Sequence, residues 1–321
     1  MNEIEIYIPH FIVHGRPRIA HCECASCRAR TPFVTNAWTN QVRHSAQIQC
    51  ETVSREALFH RDAFKLHTQR SSPGEGRPLS AWQNAVNQSC INLLIVDGLS
   101  IEERLYAIGV LLSRLSKIDL QEPEPDDSTP RAVGDEVLML SVSGLIRHAF
   151  GQMPSIDRYK HAYLRRLAKV HLSLPLDPIA SMSFNLKLTE LQVMSDGFLG
   201  DALHEAENSP YVDAFFDKHD HVWTNYFLHR CFHDVFPGAV REAYNLVFLD
   251  LCIDLFCLRS LCALLAASDV ELTEKSVSTL FSAWHRGGRD CIGGNDHVDP
   301  LLIGYSLIMP TRACNGGRRD D

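Results

Sequence analysis

Three cysteines stand close together near the start of the chain, Cys22, Cys24 and Cys27, and a fourth follows at Cys50. Four soft thiolates suit either an iron–sulfur cluster or a structural zinc ion. The C-x-C-x-x-C run supplies three ligands from one loop, and Cys50, at the start of an expected helix, closes the set. Arg28, Arg30 and Arg43 offer positive charge to offset the thiolates. This spacing is less specific than paired C-x-x-C motifs, so a region of free thiols without metal is the competing reading. A second group is Asp250 and Asp254, four apart and therefore on one face of a very apolar helix. Buried carboxylates must be paired or neutralised. The structural reading is an ion pair with Arg259 or with a basic residue of another helix. The chemical reading makes Asp254 and Asp250 catalytic, holding a cation or accepting a proton in a pocket wall.

Other candidates weigh less. His229 and His233 have the spacing of metal-binding helices, but the intervening residues lack the glutamate of a hydrolytic zinc helix. With His219 and His221 they read as a polar helix face in a chain of 16 histidines. Cys252, Cys257 and Cys262 recur every five residues, about 500° of rotation, and so line no single face. These three, with Cys90 and Cys231, read as core packing. Tyr226, Trp223 and Trp284 offer aromatic faces to a cation, though such residues at helical spacing are more often core. No G-x-G-x-x-G follows a strand, which argues against a Rossmann-type nucleotide fold.

The elements that must position these residues are helices. The stretch Trp223–Arg286 reads as three in succession, broken at Pro237 and Gly238. Its middle member, Tyr244–Ala267, is apolar nearly all round and belongs at the centre of a helical domain. Asp250, Asp254 and Arg259 within it argue against a membrane span, because each would cost about 2.5–3.5 kcal/mol at a bilayer centre. Thr273 is the expected N-cap of the last helix, with Glu274 misplaced for a capping box. Upstream, residues 51–67 read as helical, Ser80 caps a helix to about Val96, and Ser100 with Glu103 forms a capping box for one ending near Ile118. Further helices are expected over 133–150, 155–171, 185–207 and 210–236. Sustained period-two alternation is missing, so little sheet is expected.

The expected fold is mainly α: a multi-helix domain with a small irregular cysteine-rich N-terminal region. Turn formers at 71–78 mark the boundary between a region 1–72, which includes the first helix, and a helical domain 79–291. Residues 121–130 read as an acidic, proline-rich loop, and 292–321 as a polar, loosely held tail. The chain has 321 residues, 45% hydrophobic and 22% charged, with a net charge of -8. Those values describe an ordinary globular protein and weigh against non-specific nucleic-acid binding. The first residues are acidic where a secretory signal is basic, and no apolar core follows, so a cytoplasmic location with reduced cysteines is expected.

Short matches spread along the chain resemble the bacterial flagellin lysine-N-methylases. They run from Val42–Ser45 through Cys50–Arg55, then Cys90–Leu94, Leu105–Ile108 through Ser116–Ile118, and Phe236-Pro237. The series ends with Asp254, Arg259 and Phe281–His285, in order over most of residues 35–290. The resemblance implies methyl transfer from S-adenosylmethionine to flagellin lysines and a [4Fe-4S] cluster held by N-terminal cysteines. Under it, Asp254 or Asp250 would hold the substrate ammonium or the sulfonium, or take the lysine proton. The family's early C-x3-C-x3-C-C run is missing, and this shorter region offers only Cys22, Cys24 and Cys27 before Cys50. The alternative is therefore a catalytically inactive helical relative that binds flagellin or another protein, with structural zinc or no metal.

Overall fold

The computed structural model describes residues 3–72, 76–118, 127–292 and 299–311. The N-terminal region contains β1 (Ile4–Pro9), α1 (His10–Ala20), α2 (Ala25–Ala29), β2 (Phe33–Ala37), β3 (Gln41–Ala46), α3 (Glu51–Phe59) and β4 (Leu66–Ser71). The strands form one sheet in the order β2-β3-β1-β4, with β1 parallel to β3 and the other pairs antiparallel. This region is less irregular than its prolines and glycine suggest. In β1 the isoleucines at 4, 6 and 8 alternate with Glu5 and Tyr7, a period-two pattern confined to a six-residue strand. The expected helix over 51–67 stops at Phe59, and its last residues enter β4 instead.

The rest of the described chain is helical: α4 (Ala81–Leu94), α5 (Ile101–Ser116), α6 (Ser128–Val142), α7 (Leu145–Gln152), α8 (Asp157–Leu167), α9 (Pro178–Val193), α10 (Asp196–Glu207), α11 (Pro210–Lys218), α12 (His221–Asp234), α13 (Tyr244–Ala267), α14 (Glu274–Ala283) and α15 (Pro300–Ile308). The mainly α expectation holds. Ser80 caps α4, and Ser100 with Glu103 forms the expected capping box of α5. At α14 the box is completed by Ser276, which returns a bond to Thr273 in the role assigned to glutamate. Gly144, at φ 80°, splits the expected helix over 133–150, because the left-handed geometry there costs a residue with Cβ more than glycine. Residues 121–126 of the expected acidic loop lie outside the described residues, while 128–130 already open α6.

The 292–321 segment departs from expectation. Residues 293–298 and 312–321 lie outside the described residues, but Pro300–Ile308 is a buried helix packed on α13. Its entry signal is Asp299, which accepts a bond from Leu301 N, with Pro300 in the first turn. Lys160, fully buried on α8, holds the end of this segment through Glu207 at 2.7 Å, Thr311 Oγ1 at 2.9 Å and the Met309 carbonyl.

Helix α13 lies at the centre as expected, with α5, α8–α11, α14 and α15 against it. Asp250, Asp254 and Arg259 interrupt it, and among the described residues no helix is long and apolar enough to cross a membrane. Two apolar clusters result, one in the helical body and a small one of Phe11, Ile12, Ile19, Ala46, Cys50, Val53, Ala57 and Ala63 beneath the sheet. A polar seam joins them. Arg43 donates to Asn87 at 2.9 Å, and Asn87 donates to the carbonyls of Cys231 and Phe236. Asn225 donates to the Leu58 and His60 carbonyls, closing the far end of α3.

Some helices of the body meet at glycines. A Cβ on Gly109 of α5 would lie 2.6 Å from the Tyr305 ring and 2.7 Å from Phe248, inside contact distance. Gly109→Ala should therefore lower stability by roughly 1–2 kcal/mol in denaturant titration, overpacking exceeding the better helix propensity of alanine. An unchanged midpoint would mean that α5, α13 and α15 do not meet this tightly.

Candidate metal centre

The four thiols of Cys22, Cys24, Cys27 and Cys50 come together, every sulfur within 4.8 Å of the others. The three from the loop are partly exposed and Cys50 is buried. Cys27 Sγ lies 3.3 Å and Cys22 Sγ 3.6 Å from Cys50 Sγ. Cys50 is also the N-cap of α3, its sulfur accepting from Val53 N at 3.5 Å. Ser26 pins the loop by donating to the Gln49 carbonyl at 2.9 Å.

Without metal, these thiols compete for protons. At Cys22, burial opposes ionisation, but hydrogen bonds involving Thr52 and the Cys24 backbone bring the thiol down to about 7. Burial raises Cys50 to about 12 despite the Val53 amide, and burial with the Cys50 hydrogen bond raises Cys27 as well. Loading a metal must therefore expel protons, which makes its affinity rise with pH.

The donor set fits a thiolate-bound metal, because four sulfurs converge without a carboxylate or imidazole among them. A tetrahedral ion with metal–sulfur bonds of about 2.3 Å separates its sulfurs by about 3.8 Å, close to the separations found here. A four-iron cube sits among its thiolates and would spread them further. In either case the four cysteines would fill the protein-ligand positions of the metal.

A cleft of about 640 Å³ opens beside Cys24. It is walled by Ala25 and Arg28 of α2, Glu51 of α3, the segment His171–Pro175, and Ala283, Arg286 and Gly287. Arg286 reaches Glu51 at 3.1 Å, and Gln49 donates to the His285 carbonyl at 2.9 Å. The helical body thus grips both residues on either side of Cys50. Of the arginines expected near the sulfurs, Arg28 lines the cleft and Arg30 donates to Gln49. Arg43 instead faces the seam, bonded to Asn84 and Asn87 over the Phe232 ring. The missed residue is Arg286, which in sequence looked only like part of a helix end.

The expected carboxylate pair is divided. Asp254 has no exposed surface, and its Oδ1 accepts from Trp284 Nε1 at 2.9 Å and Arg289 Nε at 3.0 Å. Its Oδ2 faces Arg230 Nε at 3.6 Å, an ion pair longer than a hydrogen bond. Burial would raise its pKa, but Arg289 and Arg230 overcome that and hold it low. Asp250 is about half exposed and meets Arg289 at 3.3 Å. Arg259, offered as a partner, turns instead to Glu102. Neither aspartate borders the cleft.

The aromatic candidates are core. Trp284 and Tyr226 are wholly buried, and Tyr226 Oη meets His285 Nε2 at 2.8 Å. The histidine face is an interface: His229 Nε2 meets the Ala46 carbonyl at 2.8 Å, His233 Nδ1 meets Ser45, and His221 Nε2 meets the Phe59 carbonyl. The helix cysteines, Cys90 and Cys231 are buried and unpaired.

A helical body with four converging thiols at its junction with a small sheet defines a class: a mainly α protein with a four-cysteine cluster that could hold a metal at the rim of a cleft. The model of the FliB lysine N-methylase C-terminal domain matches residues 87–287. That match spans more than half of the chain, which therefore belongs to the FliB lysine N-methylase family. The thiols precede the matched residues. No curated protein and no solved structure matches the chain.

Two consequences concern the buried charges. Burial, aided by Arg230 and Arg289 and opposed by Asp254, pushes His285 down to about 3, and burial with nearby His233 lowers His229 far below 6.5. The unfolded chain takes up protons near pH 6.5 that these folded imidazoles refuse. Their contribution should hold above pH 6.5 and decline as pH falls toward 3, with a limiting slope of about 1.4 kcal/mol per pH unit for each histidine. Denaturation midpoints between pH 8 and 4.5 test this, and a flat profile contradicts it. Asp254→Asn, leaving Arg230 and Arg289 without their shared counter-charge, should cost roughly 2–4 kcal/mol in the same assay. A loss below about 0.5 kcal/mol would place it among substitutions away from such networks.

Proposed function

We propose that this chain is a cytoplasmic protein-lysine N-methyltransferase that acts on flagellin, uses S-adenosylmethionine as donor, and carries a [4Fe-4S] cluster on Cys22, Cys24, Cys27 and Cys50. The observation that carries this reading is the junction itself: four thiols gathered at the rim of a cleft whose far walls come from the matched lysine N-methylase domain. A bound metal would supply a closed centre that fixes the cleft-lining loop from Cys24 to Arg28.

The reaction requires a neutral lysine amine, although the free side chain has a pKa of about 10.4. Its Nζ lone pair attacks the sulfonium methyl carbon. The nitrogen–carbon bond forms as the carbon–sulfur bond breaks, S-adenosylhomocysteine leaves, and a base removes the ammonium proton. His171 at the cleft wall is an imidazole able to take that proton. In this reading Asp254 and Asp250 position Arg289 and the residues before it, and do not touch substrate.

The sulfur separations support a second reading, a single zinc ion in the same four-cysteine site, on either an active enzyme or an inactive flagellin-binding relative. Anaerobic purification followed by iron, sulfide and zinc analysis separates the two centres. Co-expression with flagellin and mass spectrometry for methyl-lysine separates enzyme from binder. The reading predicts methyl-lysine on flagellin, near-stoichiometric iron and sulfide, and loss of both with Cys27→Ser. Zinc without iron would overturn the cluster but not the enzyme. Unmodified flagellin after reconstitution would overturn the enzyme.

A further inference from the structure

We propose that the cleft beside Cys24 binds the amino-acid end of the methyl donor, with Arg28 and Arg286 taking its carboxylate and Glu51 its ammonium. The assignment rests on the methyltransferase reading and adds to it the location of the donor. The cleft volume of about 640 Å³ lies within the range of small-molecule sites.

The charged side chains of the cleft carry the assignment. A metal held by all four cysteines would leave no protein-ligand position for the donor, whose zwitterion would then be recognised by side chains. The cleft has the required charges of both signs. Among the described residues Arg28 hydrogen-bonds through Nε alone, to the Glu23 carbonyl, leaving both terminal nitrogens. Arg286 engages Glu51 through Nη1, so this pair presents an anion and a cation side by side. A carboxylate accepting from two guanidiniums and an ammonium donating to Glu51 would complete a charge-alternating array.

The surrounding backbone holds this array in place. Beyond α14 the chain kinks at Gly287, whose backbone is extended rather than helical, within the segment Trp284–Gly288. Trp284 anchors this segment to Asp254, and Gly288 packs so closely on the cleft-wall segment that a Cβ there would lie 2.8 Å from Leu172, between the lining residues His171 and Ser173. Arg286 is thus carried by a fixed wall, while Arg28 rides on α2, between Cys27 and the end of that helix.

The test is calorimetric titration of the full-length, metal-loaded protein with two probes. S-adenosylhomocysteine carries the amino-acid end, and methylthioadenosine lacks it. Arg28→Ala should weaken S-adenosylhomocysteine roughly tenfold, the effect of losing one charge-assisted contact, and leave methylthioadenosine unchanged. Arg28→Lys should recover part of the loss, and metal content should match the parent protein. Glu51→Gln, which retains a hydrogen-bonding oxygen for Arg286, should also weaken S-adenosylhomocysteine selectively. Unchanged S-adenosylhomocysteine affinity in Arg28→Ala and Glu51→Gln, or equal weakening of both probes, would overturn the assignment. If the variants that retain affinity also methylate flagellin, the donor lies elsewhere and the enzyme reading survives. If the parent protein neither binds S-adenosylhomocysteine nor methylates flagellin, that reading falls and the assignment with it.

Discussion

A carboxylate sealed from water at the middle of α13 must be met by positive charge, and the way Asp254 satisfies that demand organises the junction of the molecule. Arg230 comes from α12, Arg289 from beyond α14, and the Trp284 indole adds a third partner. Together they fix the end of α14 against the core. From that fixed end, the His285 carbonyl receives Gln49 and Arg286 reaches Glu51, on the two sides of Cys50. A charge pair inside the helical body is thereby connected, through a few short contacts, to the position of Cys50, the one buried thiol of the four-cysteine cluster. Such arrangements give little net stability over an apolar core, and their value here is geometric.

The N-terminal region depends on the body in a second way. Its own apolar cluster is small, and many polar anchors lie across the seam, where His229 holds β3 and Asn225 holds the end of α3. A small sheet of four short strands has little apolar surface with which to stand alone. Docking supplies that surface, and a metal drawing the loop onto Cys50 would complete the closure. The cleft forms because two units meet, with α2 and α3 on one side and the residues around His171 and Arg286 on the other.

Much of this was legible in the residues. The apolar run Tyr244–Ala267 announced the central helix, Ser80 and Ser100 announced their caps, and the cysteine spacing gave the four residues that converge. Other features depended on tertiary contacts that no local pattern records. Arg286 and Gln49 matter because of residues more than two hundred positions away, and the partners of Asp254 were found among arginines other than the neighbouring Arg259. The sheet was hidden because each strand is five or six residues long, and only β1 alternates cleanly. The final helix was concealed by the glycine-rich and polar residues around it, although Asp299-Pro300 is a recognisable start.

Everything about the proposed site follows from four sulfurs sharing one metal centre. X-ray absorption at the metal edge of anaerobically purified full-length protein reads that property directly. The account predicts a first shell made of four sulfur scatterers at about 2.3 Å, with a further metal–metal shell if the centre is a cluster. A first shell dominated by nitrogen or oxygen, or a metal-free protein whose four thiols all react with alkylating reagent after metal reconstitution, would contradict it.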